Sequence, residues 1–387
     1  MMKMERVKLG DISKLINGDR GKNYPSQADI TDDGEIPFIN AGHLNGGSID
    51  FSEMNYISQD KYDKLNSGKF QKGDILYCLR GSLGKKAIVN NDINGAIASS
   101  LVIIRPDPEK VSGEYLMLAL DSPAIKEQLV KANNGSSQPN LSAASVREYE
   151  VELPEFSIQK EVVEKLIKVR SIIDNRRQEL QLLNDLIKAR FVEMFGDPVE
   201  NPKKYYVAAL RELIDKEYIT YHLDGNHGGD YPRSDEFVDS GVPYISANCI
   251  VNGEVDFSRA KYLTPERASK LRKGIARDED VLFAHNATVG PTVVLHTDEE
   301  KVILGTSLTA YRCNKKEIMP DYLKTYMLSD GFIQQYSAEM KQTTRNQVPI
   351  TIQKKYLFLI PPIEEQRQFT DFVHQVDKSK VVVASVR

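Results

Sequence analysis

Short apolar runs punctuated by glycine, asparagine and proline fill most of the chain, and one stretch breaks that rhythm. Runs such as Ile36-Pro37-Phe38-Ile39 and Ile75-Leu76 lie between polar turns and predict short strands. From 157 to 195 there is no glycine or proline. Apolar side chains recur there at Val162, Leu166, Val169, Ile173, Leu180, Leu183, Ile187 and Met194, with Arg176 and Arg190 interrupting. The spacing alternates three and four, which is the seam of a coiled coil. At 1.5 Å per residue this predicts a rod of roughly 60 Å. Gly196-Asp197-Pro198 ends it.

The strand-rich part is written twice. Ile36-Pro37-Phe38-Ile39 returns as Val242-Pro243-Tyr244-Ile245, and Asn45-Gly46-Gly47-Ser48-Ile49-Asp50-Phe51 as Val251-Asn252-Gly253-Glu254-Val255-Asp256-Phe257, both 206 residues later. Gly73-Asp74-Ile75-Leu76 pairs with Glu279-Asp280-Val281-Leu282 at the same offset. The offset then becomes 207 for Ser99-Ser100-Leu101 with Thr306-Ser307-Leu308, Leu153-Pro154 with Ile360-Pro361, and Gln159 with Gln366. Gly18, Gly21, Tyr24 and Pro25 match Gly225, Gly228, Tyr231 and Pro232. An offset this steady marks an internal repeat.

Each copy predicts a short helix (9–16; 210–214), a glycine-rich polar loop (17–25; 224–232), short strands and turns, a helix (115–132; 322–340), a polar loop and a last strand (148–153; 355–360). Proline then stops the strand and opens a helix. The fold class is α+β: two similar mixed α/β domains at 1–153 and 197–361, a central helix at 154–196 and a C-terminal helix at 362–387. Antiparallel pairing of the helices, with Val373, Val376 and Val383 on the second, relates the copies by a pseudo-two-fold. The second helix ends opposite Leu180 of the first, so nothing in the sequence corresponds to 181–195.

Composition narrows the function. Three scattered cysteines, Cys78, Cys249 and Cys313, argue against a disulfide framework and fit a reducing cytoplasm. The start lacks the apolar core of a signal peptide, and no window holds the roughly 18 uninterrupted apolar residues that span a bilayer. A net charge of −4 leaves room for a local basic face and an acidic protein-binding one. The six histidines, at 43, 222, 227, 285, 296 and 374, do not coincide between copies or take metal spacing. There is no phosphate loop of the GxxxxGK[ST] type and no DPPY- or NPPF-like tetrapeptide. No catalytic, metal or cofactor site is expected.

The duplicated order, the strand entry Lys72-Gly73-Asp74-Ile75-Leu76, the Pro-x-x-x-x-Gln helix starts and the helix end Arg190-Phe191-x-x-Met194-Phe195-Gly196-Asp197-Pro198 resemble the specificity subunits of type I restriction-modification systems. The resemblance implies two target-recognition domains reading the halves of a split double-stranded DNA target, and no catalysis by this chain. It also implies docking of modification (methyltransferase) subunits, two of them, with a restriction/translocase subunit in the full complex. Two other readings stay open: a stand-alone bipartite DNA-binding regulator, and a duplicated-domain enzyme with its site between the halves.

Positions shared by the copies are scaffold; polar loop positions that differ are candidates for reading bases. The first loop offers Arg20, Lys22, Asn23 and Tyr24, matched by Asn226, His227, Tyr231 and Arg233. The second offers Arg80, Ser82, Lys85 and Lys86 as a basic hairpin for the DNA backbone, matched by Asn286 and Thr288. The third offers Ser136, Ser137, Gln138 and Asn140, matched by Thr343, Thr344, Arg345, Asn346 and Gln347. Solvated turns and ordinary caps are the plainer reading of each loop. If Arg20 or Arg345 pairs with a base, its replacement by alanine weakens DNA binding by about 1–3 kcal/mol. Gel-shift titration checks this, and unchanged affinity and sequence preference in both variants sinks the loop assignments.

Overall fold

The computed structural model describes residues 5–133, 139–340 and 346–385. The chain divides into two compact units, 1–173 and 174–387, so the long helix Phe156–Phe195 contributes to both.

In the first unit a four-stranded antiparallel sheet runs in the order Ser13–Asn17, Leu101–Pro106, Ile75–Cys78, Lys86–Ile88. A second four-stranded sheet runs Tyr56–Ile57, Ile36–Ile39, Gly95–Ile97, Lys69–Phe70, with one parallel pair at its centre. The period-2 side-chain alternation of a strand explains the layering. Ile75 and Tyr77 enter one core with Leu9, Leu116 and Val146; Leu76 and Cys78 enter the other with Ile39, Phe70 and Ile97. The antiparallel sheet is therefore buried on both faces, and its strands read as continuous apolar runs.

The second unit repeats the plan. Its antiparallel sheet runs Ile219–Asp224, Leu308–Cys313, Val281–Ala284, Thr292–Val294, beside a five-stranded mixed sheet. A two-stranded ribbon closes each unit: Glu5–Lys8 with Glu150–Leu153, and Tyr206–Ala209 with Leu357–Ile360. The repeated aspartates are explained too. Asp74 takes Arg105 in two bonds of 2.7 Å and caps the Gln71 amide at 2.9 Å. Asp280 takes Arg312 at 2.8 and 2.7 Å and caps the Arg277 amide at 2.8 Å. Both carboxylates are buried, so the two-point pairing offsets the desolvation of each.

Several expected elements differ. The helix expected over 9–16 is helical only at Leu9–Ile12; Ser13–Asn17 is a strand, because its pairing with Leu101–Pro106 outweighs local periodicity. The helix expected over 115–132 is two helices, Gly113–Ala119 and Pro123–Ala132, broken where Ser122 caps the Ile125 amide and Pro123 takes the first turn. Its counterpart is likewise Pro320–Met327 and Asp330–Met340. Short helices at Ala143–Arg147 and Ile350–Gln353 occupy what reads as polar loop.

Along the long helix the expected seam is unevenly covered. Leu166, Val169 and Ile173 are exposed, while Val162 is half-buried and its neighbour Val163 enters the first unit's core. Leu180, Leu183, Ile187 and Met194 are half-buried. Phe191 and Phe195 meet Phe369 of the C-terminal helix Ile363–Ser385 edge-on at 5.5 and 5.6 Å and enter the second unit's core. Val373 is a core residue there, Val376 is buried and Val383 half-buried. Among the described residues no helix is long and apolar enough to cross a membrane.

Each long helix is rooted by a fully buried glutamine. Gln159 accepts from the Ser112 amide at 2.9 Å and donates to the carbonyls of Lys110 and Pro154 at 3.0 and 3.1 Å. Gln366 repeats this with the Met319 amide and the carbonyls of Glu317 and Pro361, at 2.9, 3.2 and 2.9 Å. Gln366→Ala leaves three buried or half-buried backbone groups without this partner and lowers stability by about 2–4 kcal/mol. Urea unfolding measures it, and a loss below about 1 kcal/mol contradicts the rooting role.

Candidate nucleic-acid interface

The second and third polar loops of each unit meet through backbone bonds, and in the first unit a side chain draws in the first loop. In the first unit the Leu141 amide donates to Leu79 at 2.8 Å and Arg80 bridges Asn140, joining the second loop to the third. The Leu79 amide donates to Ser100 at 2.8 Å, and Arg20 reaches the Ser99 carbonyl at 3.4 Å, bringing in the first. The second unit repeats the frame. Val348 donates to His285 at 2.8 Å, Ala287 to Asn346 at 2.9 Å and His285 to Ser307 at 2.9 Å, with Asn286 bridging Gln347.

Glycine makes the first loop possible. A Cβ on Gly18 would sit 2.8 Å from the Ala98 carbonyl oxygen, and Gly68, at φ +79°, packs on Gly18 itself. Gly225 and Gly274 (φ +62°) make the same approach in the second unit. Beside Gly18, Asp19 is buried and accepts from the amides of Gly21 and Asn66, both at 2.8 Å. The Gly21 amide, then that of Asn66, holds its carboxyl below the usual range.

The expected reading residues sort into three groups. Three are framework. Asn226, at the position of Asp19, is buried and donates to the Lys273 carbonyl at 2.6 Å. Lys86 is buried in an ion pair with Asp121, because the strand alternation turns it inward. Tyr24 packs its ring edge on Phe38 at 5.8 Å, and its hydroxyl accepts from the Ser99 amide at 3.4 Å. A second group is open or only partly engaged. In the first unit Arg20, Lys22, Arg80, Ser82, Lys85 and Asn140 are exposed; Asn23 is half-buried and donates to the Lys64 carbonyl. Lys85 also donates to the Ala41 carbonyl at 3.0 Å. Among the described residues no carboxylate lies within ion-pair distance of Arg20, Lys22, Arg80 or Lys85. In the second unit His227, Tyr231, Arg233, Thr288 and Asn346 are exposed, with His227 2.8 Å from Asp224, while Asn286 and Gln347 are half-buried. The third group, Ser136, Ser137, Gln138, Thr343, Thr344 and Arg345, lies outside the described residues.

A polar network under the second unit's loops escaped the sequence reading. The Gln353 amide donates to the Val348 carbonyl and to Thr309 Oγ1, both at 3.1 Å. A carbonyl only accepts, so the amide orientation is fixed. Gln353 Oε1 then accepts from Tyr311 at 2.6 Å and from His222 Nε2 at 3.1 Å. His222 therefore carries its proton on Nε2. Thr309 Oγ1 and His285 Nδ1 share a hydrogen bond of 2.8 Å. The signal was available: in the repeat these positions match Leu15, Leu79, Val102, Ile104 and Val146 of the first copy. Among the described residues no cluster of histidine, cysteine and carboxylate could hold a metal.

Burial above all pushes His222 from its ordinary 6.5 down to about 4, against an opposing bond to Gln353. Burial does the same to His285, with Asp224 opposing and His227 reinforcing. Unfolded imidazoles bind protons more readily, so stability is full above pH 6.5 and falls as pH drops toward 4. The loss reaches up to about 3 kcal/mol per imidazole. Thermal melts across this window should show a steeper acid loss in wild type than in His222→Leu/His285→Leu. Parallel curves would disprove the effect.

Comparison with known proteins places this arrangement. Residues 1–185 and 212–382 match the family model "Type I restriction modification DNA specificity domain". The Escherichia coli type I restriction enzyme EcoBI specificity subunit is 26% identical over 222 residues, 53% of this chain and 47% of that one. The Methanocaldococcus jannaschii MjaIX specificity subunit is 23% identical over 230 residues, 57% of this chain and 52% of that one. The chain thus spans about half the length of these two relatives. A crystal structure of the type I system S subunit from M. genitalium superposes with a TM-score of 0.59 at 16% identity, covering 99% of this chain and 91% of that one, a likeness of fold.

Proposed function

This chain belongs to the family of type I restriction-modification DNA specificity domains, and from that premise we propose that its two units read the two halves of a split, asymmetric double-stranded DNA target. The observation that carries the reading is the repeated loop cluster: one hydrogen-bonded frame, used twice, with different side chains on it. Unlike loops on like frames suit unlike half-sites. Arg20, Lys22, Arg80 and Lys85 give the first unit exposed cations, with no carboxylate partner among the described residues, for phosphate or guanine. The second unit meets its half-site mainly through amides, hydroxyls, His227, Tyr231 and Arg233, together with Thr343, Thr344 and Arg345.

Family membership makes this a recognition subunit and not the catalyst. Methyl transfer then belongs to modification subunits, two of them, docked on the chain, and cleavage to a restriction subunit. The exposed apolar side chains Leu166, Val169 and Ile173 support helix pairing as the means of setting the gap between half-sites.

Expression beside its genomic neighbours tests the assignment. A methyltransferase co-purifies, and sequencing of host DNA finds methylation at two short blocks a fixed distance apart. A chain that binds DNA without any methyltransferase is a stand-alone regulator instead. Arg80→Ala/Lys85→Ala should lower the slope of log affinity against log salt by about 2, equally for all sequences. An unchanged slope removes that hairpin from the interface.

A further inference from the structure

The two units differ most sharply beneath their loops. Five positions that are His222, His285, Thr309, Tyr311 and Gln353 in the second unit are Leu15, Leu79, Val102, Ile104 and Val146 in the first, all within one apolar core. The surrounding frame is the same. Strand pairing sets Leu15 opposite Ile104 and His222 opposite Tyr311. The bond from Leu141 to Leu79 matches that from Val348 to His285, each 2.8 Å. The first unit therefore shows that the topology closes with an apolar filling.

Burying five polar side chains costs desolvation that apolar packing avoids, and the hydrogen bonds among them offset only part of it, since His222 Nδ1 is buried without a partner. Something other than folding accounts for the network, and its connections indicate what. His285 directly precedes Asn286, and Val348 directly follows Gln347. One amide, that of Gln353, braces both segments: directly at the Val348 carbonyl, and through Thr309 at His285. Its oxygen also ties in His222, two residues before Asp224, which holds His227 of the first loop. Directional bonds thus join the footings of all three loops. Apolar contacts under the first unit's loops have no preferred angle and permit sliding. Base reading tolerates little sliding, since reading groups must be held to within about 0.5 Å.

We infer that Gln353 and Thr309 are positioning residues that set base preference at the second unit's half-site, and that the first unit's half-site has no such dependence. The inference rests on the DNA-reading proposal above. Its test uses the full chain with its modification subunits and a pool of linear duplexes carrying a randomised tract. Bound duplexes are recovered and sequenced for wild type, Thr309→Val and Gln353→Val, each substitution installing the first unit's residue. Arg20→Ala identifies the first unit's block as the one it weakens. Thr309→Val is nearly isosteric and keeps the fold even where Gln353→Val does not; melting is recorded for both.

The expected result is a Thr309→Val protein that stays folded with a modestly lowered melting temperature, because Gln353 Nε2 and His285 Nδ1 each lose a partner, retains the first block, and loses about tenfold of its base preference in the second. Three outcomes overturn the inference: both blocks unchanged, both blocks degraded alike, or lowered melting with base preference intact, which is a merely structural role. If wild type enriches no sequence, the DNA-reading proposal itself fails, and that result is distinct from the other three.

Discussion

Each unit hangs on one side chain. Gln159 and Gln366 are fully buried, spend both ends of their amides on backbone, and do so five residues into the Pro-x-x-x-x-Gln start of a long helix. Each of these helices is anchored at its N-terminal root, where the glutamine also bonds the carbonyl of the proline that precedes the helix. The glutamine ties that root to the segment opening the preceding helix pair, at Ser112 or Met319. The closing ribbon lands beside it: Leu153 pairs with Glu5 and Ile360 with Tyr206 just before each helix begins. The direction in which each helix departs is thereby fixed relative to the doubly buried sheet, and that sheet carries the loops.

Much of this was legible because the chain supplies its own comparison. The matched offsets located the shared strands, the aspartates at strand entry and the anchoring glutamines. Two of the misreadings share one physical origin. Residues 13–17 look helical in isolation and become a strand because Leu101–Pro106 offers a ladder nearly 90 residues away. Lys86 looks like an exposed cation and is not, because its strand turns it inward and Asp121, 35 residues on, pairs with it. Pairing at long sequence separation decides such cases, and local pattern carries no record of it. Pro123, by contrast, was a visible helix start inside an expected continuous helix.

The loops were legible as candidates and not as geometry. Sequence sees that Asp19 and Asn226 are polar; burial turns both into braces for a glycine turn. The second unit's network was the more instructive omission. Read singly, a threonine in a strand or a glutamine in a short helix carries little information. Read against the twin position, each is a departure from an apolar residue, and five departures converge on one point.

That convergence bears on how such proteins can be rebuilt. The loops of the second unit stand on polar footings, and those of the first on leucine, isoleucine and valine. A loop grafted from one unit to the other would lose its bracing, or bury unpartnered donors. A cut within the long helices moves loop and footing together. The natural unit of exchange is therefore the whole domain down to its glutamine root, and recombination that respects this boundary can reshuffle recognition without disturbing what lies beneath it.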